Sequence, residues 1–252
     1  MRRLKKPKAV LMDVSGTLTQ GTFIPIILVP YFQKNYRAYL EENIDKPRCK
    51  DVINKMRTSA EIDKSSPKIL PEGTDNAALI GSVCNYVDYC LYNNKENKPF
   101  VVFRFMVWFD GYERNLITTP VYSDVAIQIQ KWRLSQDIQL YVLSNGWSYA
   151  TRKFLEKTSQ GNLSILINDC FDTELGPLNS ATTFQKLLNI IKVPSQELVF
   201  LTKSADEAKA AIEVGIIVVM VLTHRKDVEA IQENVKDQIP HVRTFNEIEF
   251  ID

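Results

Sequence analysis

The sequence predicts an α/β protein: a doubly wound parallel sheet with a helical segment inserted after the first strand. Three observations carry that reading. Short uncharged runs at Ala9–Met12, Ile138–Leu143, Leu198–Leu201 and Ile216–Leu222 suit strands buried on both faces. From Pro120 onward such runs alternate with amphipathic helical stretches, the grammar of a parallel sheet wrapped by helices. Between the first run and Pro120 the period is helical almost throughout. The division expected is a core of residues 1–20 and 117–252 and a helical cap of residues 21–116.

Taken in order, Ala9–Met12 forms the first strand and ends in Asp13, then Val14, Ser15, Gly16 and Thr17. In open α/β sheets, ligands sit at the carboxyl ends of strands. Tyr31, Phe32, Tyr36, Tyr39 and Leu40 make an apolar stripe at helical spacing, which Pro30 should kink or divide. Residues 59–76 contain Pro67, Pro71 and Gly73 and read as a loop, after which Asp75 or Asn76 caps a helix. Phe100–Phe109 is ambiguous between helix and strand by periodicity. Further helices are expected over Tyr122–Leu134, Trp147–Thr158, Ser180–Ile191 and Ser204–Val214, the last closed by Gly215. Leu163–Ile167 leads to a short strand near Phe171, and Asp227–Lys236 is the final helix.

Bulk properties bound the function classes. A chain of 252 residues with 31 basic and 30 acidic side chains presents no global field toward nucleic acid or an anionic membrane. The basic opening MRRLKKPK reads as a solvated extension, with nuclear import or polyanion binding as the alternative. No apolar run approaches the roughly 20 residues of a membrane span. With no leader-like segment, the expectation is a soluble cytoplasmic protein, also nuclear if the basic opening is used. Cys49, Cys84, Cys90 and Cys170 form no CxxC pair and His224 and His241 are the only histidines, so reduced thiols and no zinc site are expected.

A carboxylate at a strand end followed by small residues suits phosphoryl transfer, with Asp13 as nucleophile. Asp-x-x-Gly-Thr-x-Thr after an apolar strand resembles the first motif of the haloacid dehalogenase-like phosphohydrolases. Several further stretches resemble the acireductone synthase (enolase-phosphatase) family of methionine salvage. They are LVPYF from Leu28, VWFDGYERNLITTPVYSDV from Val107, YVLSNG from Tyr141, FDTELG from Phe171 and LVFLT from Leu198. The resemblance implies a haloacid dehalogenase-like core, a helical cap that includes Phe100–Phe109, and Mg²⁺ held by Asp13, the Ser15 backbone carbonyl and an acid after Leu198–Thr202. It also implies phosphate binding by Ser144 and Asn145 and by a lysine after the Phe171–Gly176 motif. In the cap, Trp108, Gly111 and Tyr112 match the family, whereas Arg104, Asp110 and the Thr223–Lys226 stretch depart from it; His224, Arg225 and Lys226 are candidate anion contacts at the rim.

Three further departures fall on the positions of the catalytic motifs. Ser15 stands where the family's acid–base carboxylate belongs, and such help is worth roughly 10²–10⁴-fold in rate. Leu178 takes the place of the phosphate lysine, with Lys186 too far along to replace it. Lys203 takes the place of the acidic metal ligand, a charge reversal; unit charges about 4 Å apart interact by about 4 kcal/mol at an effective dielectric near 20. Asp206, or Glu207 beside it, is the candidate substitute carboxylate, and a Lys203–Asp13 salt bridge would replace the metal.

The reading that follows is a catalytically impaired relative that acts by binding a small phosphorylated ligand or a protein partner, with no Mg²⁺ held tightly. Its alternative is a working Mg²⁺-dependent enzyme turning 2,3-diketo-5-methylthiopentyl-1-phosphate into the acireductone through Asp13. A third is a metal-independent phosphoryl or acyl transferase that uses Asp13 with Lys203.

Overall fold

The computed structural model describes residues 1–230 and 239–251. Its contacts separate two units, Met1–Phe23 with Thr118–Asp252, and Ile24–Ile117.

The first unit opens on strand β1 (Arg2–Lys5) and β2 (Ala9–Asp13). The solvated extension expected at the N-terminus is therefore wrong: β1 pairs in parallel with a strand near the C-terminus, Arg3 with Glu249 across the ladder at 2.9 Å. Lys8, in the link between β1 and β2, forms an ion pair with Glu197 at 2.6 Å.

The second unit holds four helices: α1 (Val29–Asn43), α2 (Pro47–Ile62), α3 (Asn76–Tyr92) and α4 (Lys98–Glu113). Pro30 stands where the helix changes type. A π-helical turn at Ile24–Leu28, with Leu28 in helical geometry, runs directly into α1, so the proline interrupts the regular ladder and divides the helix into two kinds of turn. Phe100–Phe109 is helical within α4, while α2 runs to Ile62 into the stretch expected as loop. Asp75 caps α3 by accepting from the Ala78 N–H. Phe32 anchors this unit's core, edge-on to Phe100 and Phe103 with ring centroids 5.9 Å away in both cases.

The chain then re-enters the first unit through α5 (Ser123–Gln130), β3 (Gln139–Leu143), α6 (Ser148–Glu156), β4 (Asp169–Phe171), α7 (Ala181–Ile191), β5 (Leu198–Thr202), α8 (Ala205–Glu213) and β6 (Ile217–Val221). It closes with α9 (Arg225–Ala230), β7 (His241–Val242) and β8 (Ile248–Ile251), the last being the partner of β1. The helix expected over Asp227–Lys236 runs past the described residues after Ala230, and the side chains of Arg225 and Lys226 lie outside them. Within Leu163–Ile167, Ser164–Leu166 forms a 3-10 turn that delivers the chain to β4.

The parallel sheet has the order β4-β3-β2-β5-β6-β7. Every residue of β2 is buried, with Val10 and Met12 in one core layer and Ala9 and Leu11 in the other, as a sheet covered on both faces requires. Trp132 fills the first layer, stacked on Phe245 at 5.5 Å and tilted against Phe250 at 5.1 Å. Phe184 and Phe200, 5.3 Å apart, fill the second. Because β3 and β5 flank β2 and lead away in opposite directions, the end of β2 is the sheet's topological switch point. Among the described residues no helix is long and apolar enough to cross a membrane.

Candidate active site

Parallel register decides which residues meet. Asp13 is level with Leu143 of β3, and Met12 with Leu201 of β5. Asp13, Ser144 and Lys203 therefore stand at the carboxyl ends of three adjacent strands.

Asp13 is buried, and both carboxylate oxygens accept hydrogen bonds: Oδ1 from the Val14 N–H at 2.7 Å, Oδ2 from the Thr17 hydroxyl at 3.3 Å. Burial pushes its pKa up to about 7, and the charge of Glu207 pushes the same way. The Val14 and Thr17 donors and the positive charge of Lys203 offset only part of that rise.

The loop after Asp13 is shaped by glycine. Gly16 has φ +83°, a conformation that a side chain disfavours, and its N–H bonds the Thr19 carbonyl at 2.7 Å. A Cβ at Gly16 would lie 2.6 Å from both Cδ and Nζ of Lys203, and one at Gly21 3.3 Å from Nζ. The lysine thus lies along the Gly16–Gly21 loop. The salt bridge expected between Lys203 and Asp13 is absent: among the described residues no ion pair joins them, and the ammonium acts on the carboxyl from further off. Ser15 is exposed beside the same loop.

At the end of β3 the Ser144 hydroxyl accepts from the Gly146 N–H at 2.9 Å, and α6 starts four residues on with Ser148. Asn145, exposed, reaches the carboxylate of Glu207. Asp172 anchors the start of α6 by accepting from the Ser148 and Glu174 N–H groups at 2.7 and 2.8 Å. Burial opposes its charge, yet those donors hold its pKa below the usual carboxylate range.

Of the two candidate carboxylates, Glu207 and not Asp206 is the one turned inward. Asp206 is exposed on the first turn of α8, whereas Glu207 is buried and accepts from the Thr202 hydroxyl at 3.0 Å. Its pKa is raised by burial, against the Thr202 and Asn145 hydrogen bonds. A signal for this exists in the sequence. Ser204-Ala-Asp-Glu207 has the spacing of a capping box, which turns the fourth residue back toward the preceding strand. The Ser204 side chain does accept from the Glu207 N–H, at 3.4 Å.

Leu178 is not brought to the site. It is buried in the second core layer with Phe171 and Phe184. Lys186 donates to the Leu175 carbonyl at 2.9 Å, so its ammonium is spent on a loop. In the helical unit, the Trp108 indole N–H donates to the Leu28 carbonyl at 2.7 Å. Gly111 makes room for Tyr31, whose Cζ would lie 2.6 Å from a Cβ there. Arg104 binds Glu96 through two hydrogen bonds, at 2.7 and 2.8 Å, and lies over the Trp108 ring. These cap residues, Trp108, Gly111 and Arg104, have structural work to do within their own unit. His224 is exposed just before α9.

No family model matches the chain. Among curated proteins it is similar to Enolase-phosphatase E1 of Acyrthosiphon pisum, 30% identical over 207 residues that span 82% of this chain and 83% of that one. Among solved structures it resembles the UTR4 protein of Saccharomyces cerevisiae with a TM-score of 0.74 and 17% identity, over 96% of this chain and all of that one. It also superposes on the HAD-hydrolase YfnB of Bacillus subtilis, solved with magnesium, at a TM-score of 0.51 and 15% identity over 96% of this chain and 97% of that one. These two structures speak for the haloacid dehalogenase-like fold, and the aphid relative takes the assignment one step further: the chain belongs to the enolase-phosphatase family.

Proposed function

We propose that this protein is a catalytically impaired enolase-phosphatase relative that works by binding a small phosphorylated ligand. One observation carries the reading. Lys203 leads out of β5 beside Asp13, at the position where the family resemblance calls for an acidic metal ligand, and its side chain fills the space over Gly16. The donor set does not fit a divalent ion. Mg²⁺ takes oxygen ligands, usually with one or two carboxylates. Each oxygen of Asp13 accepts one hydrogen bond and keeps a lone pair, but Glu207 is turned to Thr202 and Asn145, and the Lys203 ammonium repels the cation.

The same environment counts against nucleophilic attack. Burial holds the pKa of the Asp13 carboxyl up at about 7, so it must give up a proton before it can attack as a nucleophile, a loss that Lys203 favours only in part. Ser15 cannot exchange a proton near neutrality in place of a carboxylate. Retained are the features that hold an anion: the Ser144 hydroxyl at the strand-to-helix turn, the start of α6 behind it, and the positive charge of Lys203.

Glu207 favours the second reading, an active Mg²⁺-dependent enolase-phosphatase acting on 2,3-diketo-5-methylthiopentyl-1-phosphate, because it supplies another carboxylate near Asp13. Phosphatase assays on that substrate and on an aryl phosphate, over a range of Mg²⁺ and with a chelator, separate the readings. No turnover under any condition is expected. Turnover that rises with Mg²⁺ and disappears in Asp13→Asn establishes the active enzyme instead. Turnover that survives the chelator yet fails in both Asp13→Asn and Lys203→Ala points to a metal-independent transferase.

A further inference from the structure

We propose that the groove between α2 and α4 binds an elongated apolar molecule bearing a carboxylate at each end. This site lies wholly within the helical unit and is independent of the function proposed for the sheet. The groove encloses about 380 Å³, within the range of small-molecule sites. Its apolar surface comes from Val52 on α2 and from Pro99, Val102 and Met106 on α4, and the one carboxylate in its lining, Asp51, is neutralised by Lys55 beside it.

The charges around it are arranged against the helices' own preference. A helix N-terminus carries partial positive charge and favours acidic side chains in its first turn. Neither α2 nor α4 has one there. Arg48 stands in the first turn of α2 and Lys98 is the first residue of α4, and both line the groove. Among the described residues neither is in an ion pair, whereas the third cation, Lys55, is held by Asp51 at 2.7 Å.

The two helices run antiparallel. The start of α2 shares a second cavity with Asp110 and Glu113 near the end of α4, and Ile62 at the end of α2 shares another with Asn97 before α4. The two positive helix ends, each with an unpaired cation, therefore sit at opposite ends of one apolar channel. Arg48 and Lys55 mark the span. Seven residues of helix at about 1.5 Å per residue separate the ends by about 10 Å. A dianion with an apolar middle satisfies both helix ends at once and covers the floor, which a monoanion or a neutral chain does only in part.

The test uses the full chain with methyl labels read by NMR and three probes of equal chain length: decanedioate, decanoate and decanediol. Decanedioate is expected to shift the methyls of Val52, Val102 and Met106 saturably, and to bind roughly fivefold or more tighter than either other probe, the scale of one solvent-accessible charge contact. Arg48→Gln and Lys98→Gln, both at exposed positions, are expected to reduce its affinity to that of decanoate while leaving the rest of the spectrum in place. Absence of saturable shifts at those methyls overturns the proposal, as do equal affinities for the three probes or variants that bind like the parent.

Discussion

Replacing Asp13 with Asn removes a titration while keeping the shape of the side chain, so the stability of Asp13→Asn against pH reads the electrostatics of the strand ends directly. In the parent the carboxyl rises from the ordinary 3.8 to about 7 on folding, with burial first and Glu207 second among the causes. The folded state then holds a proton that the unfolded chain releases. The associated stability is fully present below the unfolded pKa and is lost as pH climbs through about 7. At about 1.4 kcal/mol per tenfold change in proton affinity, the loss is on the order of 4 kcal/mol. Asn does not titrate, so the gap between the two proteins should widen in favour of Asp13→Asn by up to about 4 kcal/mol between about pH 4 and about pH 8. Urea denaturation at the two pH values, in the presence of a chelator, measures it. If the gap stays constant, Asp13 is not held in the way described. Repeating the series with Mg²⁺ adds a second check, because a cation seated on the carboxylate would stabilise the parent at high pH and leave Asp13→Asn unmoved.

Gly16→Ala should destabilise the protein by about 1–3 kcal/mol, since the position combines a left-handed φ with a Cβ 2.6 Å from the Lys203 side chain. Combining it with Lys203→Ala should recover the steric share alone, which a double-mutant cycle in urea resolves. Ser15→Glu and Lys203→Asp together should introduce Mg²⁺-dependent turnover of an aryl phosphate, and adding Leu178→Lys should not raise it, since that position is buried away from the site. Leu178→Lys alone should cost about 2–4 kcal/mol in the same titrations, because its leucine lies in the core. Trp132→Ala should cost about 3–5 kcal/mol by thermal or chemical denaturation, as the indole is fully buried between Phe245 and Phe250. Deleting residues 1–6 removes β1 and should expose the β8 edge to hydrogen exchange at Ile248–Ile251 while exchange in β2 stays slow.

Several features are legible in the sequence alone. Uncharged apolar runs marked the core strands because a strand covered on both faces admits no polar alternation, and Asp13 stood out as the carboxyl that ends one of them. The Asp75 cap and the glycine closing α8 follow from local chemistry, which acts within one turn. Other features were hidden for an equally physical reason. Arg2–Lys5 has no strand character of its own and exists as β1 only because Ile248–Ile251 lies beside it. Pro30 is legible as an interruption but its form is not: the π-helical turn that leads into α1 depends on how the preceding segment packs.

By itself, then, the sequence determined the strands β2 to β6, the helices that alternate with them, and the identity of the side chains delivered to the strand ends: Asp13, Ser144 and Lys203. Only the tertiary structure decided how they stand. It turned Glu207 inward and left Asp206 in solvent, sent the Lys203 ammonium along the Gly16–Gly21 loop and not onto Asp13, and buried Leu178 in the core. Side-chain direction at a strand end depends on which neighbour fills the adjoining space, and that neighbour comes from a different part of the chain.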